Sequence, residues 1–86
     1  MNSMNPILIL TPNFTMAYQL AQHHNLSPKS WRYVESVVDL KGHKDIEVWK
    51  FGHIYDRPDF DEIAAEIRVR TRLNLCTVVD KNIYIS

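Results

Sequence analysis

Glycine is scarce in this 86-residue sequence, which has only Gly42 and Gly52. The shortage excludes the glycine-rich turns that let a backbone approach a phosphate: neither G-x-G-x-x-G nor G-x-x-x-x-G-K-[ST] is present. With only four prolines as well, the composition excludes low complexity and disorder. Cysteine is reduced to Cys76, so no internal disulfide can form and a reducing cytoplasm is the expected setting. Cys76 itself reads as a small buried apolar residue. Net charge is absent, with Lys+Arg and Asp+Glu at ten each. That balance argues against a general nucleic-acid binder, which needs a basic surplus, and against an acidic mimic of DNA. No apolar run is long enough to cross a membrane, and no positive charge precedes the first one as in a signal peptide.

What is present fits an ordinary soluble globule, 45% hydrophobic and 23% charged. The expectation is one domain over residues 1–86, with 1–5 as a loose leader. A chain of this size buries about 60–65% of its unfolded surface. The pattern organises around Pro6 to Thr15. Ile7-Leu8-Ile9-Leu10 is apolar without alternation, as in a strand buried on both faces. Thr11-Pro12-Asn13 ends it and starts a helix, with Thr11 or Asn13 as the cap. Phe14, Ala17, Tyr18 and Ala21 recur at helical spacing up to His24, and Asn25 suits a left-handed helix end.

Ser27 to Ser30 is a turn, and Trp31 to Val34 a second strand parallel to the first. Glu35 to Leu40 holds a short helical turn, and Gly42 a loop with positive φ. The third strand lies within Asp45 to Gly52, with Ile46, Val48 and Lys50 on one face and Glu47, Trp49 and Phe51 on the other. A second helix starts at Asp59, whose spacing to Glu62 suggests a capping box. Its buried stripe is Phe60, Ile63, Ala64, Ile67 and Thr71, and Glu66 and Arg70 form an i,i+4 pair. Leu75 to Val79 and Ile83 to Ile85 form a terminal pair of short strands around Asp80-Lys81-Asn82. The expected fold is therefore a small Rossmann-like α/β domain: a mainly parallel three-stranded sheet, flanking helices and a C-terminal pair of short strands.

If the first and third strands are neighbours, Thr11, Asn13 and Thr15 meet His53, Tyr55 and Arg57 at the carboxyl edge of the sheet. Hydroxyls, an amide, helix N–H groups and a guanidinium suit a small anionic ligand such as a nucleotide or phosphate. The structural alternative is that Arg57 pairs with Asp56, Asp59 or Asp61. The aromatics Trp31, Tyr33, Trp49, Phe51 and Tyr55 cluster around the second and third strands. Where a strand is an edge, Trp31, Arg32 and Trp49 are candidates for a protein-binding patch. Arg68 and Arg72 share a helix face and form the one basic patch, the weakest candidate for nucleic acid.

No catalytic, metal or cofactor pattern emerges. His23, His24, His43 and His53 lack ligand spacing, Glu47 and Lys50 lie on opposite faces of a strand, and no G-x-S-x-G elbow exists. The leading expectation is a non-catalytic binding or adaptor protein with a protein partner. Self-association into a homodimer is open, since edge strands carry unpaired backbone groups.

Trp31-Arg32-Tyr33-Val34, Asp39-Leu40-Lys41-Gly42 and Arg57-Pro58-Asp59 with Glu62-Ile63 resemble the W-x-Y-V, D-L-[RK]-G and R-P-D-x-x-E-I motifs of small Rossmann-like proteins of bacteriophages and bacteria. The likeness covers about Ile7 to Arg70. It implies the fold and a phage or mobile-element origin, and it implies no chemistry; for a phage-borne chain the expected setting is the host cytoplasm and the expected partner a host protein. The positions it marks are Trp31, Arg32, Asp39, Gly42, Arg57 and Asp59.

Overall fold

The four-residue apolar run forms strand β1 (Ile7–Leu10), and it is the centre of the molecule. A computed structural model describes residues 6–41 and 45–84. Along the chain follow α1 (Phe14–His23), β2 (Trp31–Tyr33), a 3-10 turn (Val37–Leu40), β3 (Ile46–Lys50) and a second 3-10 turn (Ile54–Asp56). Then come α2 (Phe60–Arg72), β4 (Cys76–Asp80) and a last 3-10 turn (Lys81–Tyr84). The sheet order is β2-β1-β3-β4, and every pairing is parallel. β1 is thus paired on both edges, and Leu8, Ile9 and Leu10 are buried on both faces, which explains why the run does not alternate.

Among the described residues, two cores flank the sheet. Leu8, Leu10, Val34, Leu40, Val48 and Ile63 belong to the one under α2. Ile9, Ala17, Leu20, Ala21 and Trp49 form the one under α1. Right-handed crossovers that run outward from β1 in opposite directions place their helices on opposite faces. The order of strands therefore reverses between β1 and β3, the point where open α/β sheets bind ligands.

The small Rossmann-like α/β class stands, and several finer expectations are corrected. Among the described residues the sheet has four strands, because Cys76–Asp80 joins β3 in parallel with Val48 opposite Val78. No terminal strand pair forms within the described residues: the chain turns at Lys81–Tyr84, where Asp80 accepts from Asn82 N–H and Nδ2. Asn13 is the cap of α1, its Oδ1 accepting from Met16 N–H, while Thr11 is buried and donates to Asn13 O. Asp59 precedes α2 without capping it, since its carboxylate is held by Arg57. Phe14 and Tyr18 ride on the rim of α1, which buries Ala17, Leu20 and Ala21 instead, and Thr71 is exposed. Asn25 adopts the left-handed conformation (φ 57°), with Leu26 N–H closing back on Ala21 O, and Glu66 pairs with Arg70 at 2.7 Å. The expectations for residues 1–5, for Gly42 and His43, and for Ile85 lie outside the described residues.

Candidate functional site

The carboxyl edge brings together the loops after β1 and β3, as their pairing requires, and Leu10 lies opposite Lys50. The chemistry there is turned inward. Arg57 Nε and Nη2 donate to the two oxygens of Asp59, both at 3.0 Å. Nη1 donates to Thr11 O at 3.0 Å and Val34 O at 2.8 Å, and Nη2 also donates to Glu35 O at 2.9 Å. Each of the five N–H groups of a guanidinium is thereby used. The side chain is 7% exposed, and the ring of Tyr33 lies 5.5 Å from its central carbon.

The reversal point itself is filled. Gly52 (φ +84°) packs so closely that a Cβ there would stand 2.7 Å from Met16 Cε and 2.9 Å from Pro12 Cδ. Gly52 N–H is taken by Asn82 Oδ1. The adjoining concavity, about 470 Å³, is lined by Glu35, Asp56 and Asp59 besides Arg57. An anion placed there meets carboxylates and no free donor of Arg57. Of the other residues expected at this site, Thr15, His53 and Tyr55 are exposed, with Tyr55 packed edge-on against Phe60. Asp39 is likewise structural: its carboxylate accepts from Glu35 and Ser36 N–H and closes a capping box.

The outer edge of β2, which pairs with no other strand among the described residues, is different. Ile7 N–H donates to Ser30 O and Val34 N–H to Ile9 O. Because successive residues of a strand bond to opposite sides, the N–H and C=O of Trp31 and Tyr33 face outward. A groove of about 440 Å³ runs along this edge, lined by Phe14, Tyr18, Trp31, Tyr33, Arg32 and Glu35 among others. Its aromatic members come from the α1 face and Arg32 from the opposite face, so the groove follows the edge itself. Phe14 is the hub of a ring cluster: it stacks on Trp31 (centroids 6.0 Å apart) and Tyr18 (6.3 Å), and meets Tyr33 edge-on at 5.8 Å. Phe14 is 56% and Tyr18 47% exposed. Arg32 is exposed, and its side chain makes no hydrogen bond or ion pair among the described residues.

Trp31 and Arg32 thus lie together, as expected of a patch. Trp49 does not join them. It is buried across the sheet at the β4 side, with Lys81 Nζ 4.0 Å above its ring, His24 edge-on at 4.9 Å and Nε1 donating to Glu47. Its removal from the patch follows from β3 being an inner strand. Sequence reasoning missed Phe14 and Tyr18 by assigning them to the buried helical stripe. The available signal was the narrower stripe Ala17, Leu20, Ala21, which leaves two aromatics four residues apart on the flank.

Arg68 and Arg72 are exposed on α2. Among the described residues no group of His, Cys, Asp or Glu is placed to hold a metal ion, and no helix is long and apolar enough to cross a membrane. Comparison of the chain with protein-family models, with curated proteins and with solved structures finds no match.

Proposed function

We propose that the chain is a non-catalytic protein-binding domain that takes an extended segment of a partner protein along β2. The observation that carries this reading is the groove on a strand edge that is unpaired among the described residues, rimmed by Phe14, Tyr18, Trp31 and Tyr33 and flanked by Arg32. Strand addition uses these features together: outward backbone groups give affinity, and alternate side-chain sites give selectivity. Exposed aromatics and arginine are the residue types that carry most binding energy at interfaces.

The partner strand is expected to place an acidic residue opposite Arg32 and apolar residues beside Trp31 and Tyr33. A second copy of this chain is the poorer occupant. Antiparallel pairing of two β2 strands centred on Arg32 sets guanidinium against guanidinium, and directly opposed like charges destabilise a sheet. A reducing cytoplasm, that of a host if the chain is phage-borne, suits its single buried thiol.

Selection of a random peptide display library on the purified protein tests the reading. Selected peptides should carry an acidic residue among apolar ones. They should slow amide exchange at Trp31 and Tyr33, and bind at least about tenfold more weakly to Arg32→Glu and Phe14→Ser, as loss of about 1.4 kcal/mol implies. Peptides that leave those two amides and both variants unaffected, or a selection that enriches nothing, would count against the β2 edge.

A further inference from the structure

A third cavity, about 280 Å³, opens on the α2 face of the sheet, between α2 and the carboxyl ends of β1, β3 and β4. Its floor is Leu10 and Val78, its helix wall Ala64 and Ile67, and Tyr55 and Phe60 close one side with rings 4.8 Å apart. Two cations stand among these apolar groups. Lys50 ends β3 on the face shared by Ile46 and Val48, and Arg68 lies one helical turn beyond Ala64. Long basic side chains of this kind bury their stems along apolar surface and hold the charge at the mouth. Asp80, opposite Lys50 in the ladder, is the nearby acid: its Oδ1 accepts both N–H and Nδ2 of Asn82, and the charge of Lys50 also favours its ionised form. Lys50 is thus partly balanced, and Arg68 is the cation with no acid beside it among the described residues. The Arg68 side chain has no hydrogen bond or ion pair among the described residues.

We propose that this cavity binds a small amphiphilic carboxylate, its apolar body against Leu10, Ile67 and Val78 and its head at Lys50 and Arg68. Small-molecule sites combine apolar walls with a few convergent polar groups, and the carboxyl end of a parallel sheet is where α/β domains build them. Of the concavities at this edge, the one beside Arg57 is lined by acids with its guanidinium already saturated, whereas this one pairs apolar depth with positive charge. The site is independent of the β2 groove, which faces away from it across the sheet edge.

The test compares three probes of one chain length: octanoate, 1-octanol and octylamine. Thermal denaturation and amide chemical-shift mapping are recorded for the wild type, Arg68→Glu and Ala64→Leu. Octanoate should raise the melting temperature by several degrees, octanol less and octylamine not at all, with shifts centred on Ala64, Ile67 and Val78. Arg68→Glu, a change at an exposed position, should keep the unliganded melting temperature and weaken octanoate about tenfold. Ala64→Leu fills the cavity and should abolish binding of every probe. Equal stabilisation by all three probes, no stabilisation by octanoate, or octanoate binding unchanged in Arg68→Glu would each overturn the proposal.

Discussion

Arg57 ties the ends of two strands to the entrance of a helix. Its fork holds Thr11 O after β1, Val34 O and Glu35 O after β2, and Asp59 ahead of α2. Truncation to alanine leaves these acceptors unpaired in a poorly hydrated place. Arg57→Ala is therefore expected to cost about 3 kcal/mol or more of stability. Arg57→Lys should recover little, because an ammonium has three donors and no planar fork. Urea denaturation of the two variants checks this; a loss near the roughly 0–1 kcal/mol of an exposed ion pair would contradict it. The sequence could offer Asp56, Asp59 and Asp61 as partners for this arginine. It could not show the three carbonyls, since they come from residues far along the chain that meet only once the sheet has formed. Arg57 accordingly looked like a ligand group when its donors were already committed.

The strands and helices were legible because each carries its own periodicity. β1 is uniformly apolar and doubly buried, β3 alternates with Ile46 and Val48 opposite Trp49, and α2 buries Ile63 with Phe60 and Ile67 beside it. What local pattern could not decide was the partner of the last strand. Cys76–Asp80 reads equally well as half of a hairpin or as a parallel edge, and the choice rests on α2 acting as a crossover. The tight joint between the loop after β3 and the start of α1 was equally invisible, being set by a backbone angle. At Gly52 the positive φ of +84° and the nearness of Pro12 and Met16 act together. Gly52→Ala should destabilise by about 1–3 kcal/mol. Met16→Ala in the same chain should relieve part of that cost, because Met16 Cε is the closer and more flexible obstacle. Equal stability of wild type and Gly52→Ala in thermal unfolding would show that the loop can move away.

For the whole molecule, stability should fall in two steps as the solution is acidified. Burial, with the charges of Lys81 and His23 adding to it, holds His24 below its ordinary pKa of 6.5. The unfolded chain therefore takes this proton first, so the stability is full above pH 6.5 and declines as pH falls below it toward the folded-state value. Asp80 shifts downward, chiefly through the hydrogen bond from Asn82 N–H. Its contribution is present above the ordinary carboxylate value of 3.8 and is lost as pH falls through the lower folded-state value. Urea midpoints across pH 3–8 should show both declines, and His24→Gln should flatten the upper one; an unaltered upper slope in that variant would assign it elsewhere. Cys76 takes no part, since burial pushes its thiol up and away from this range.

An all-parallel sheet with its first strand in the middle has a consequence for synthesis. Ile7-Leu8-Ile9-Leu10 leaves the ribosome before either of its neighbours, which begin only at Trp31 and Ile46. No hairpin can shelter it in the meantime, because each parallel pairing awaits a complete crossover. At about 5–20 residues per second, this uniformly apolar segment stays unpaired on one side for a few seconds of every round of translation. The nascent chain thus has most need of a holding chaperone before β3 emerges, and much less while the outer strand β4 is being added.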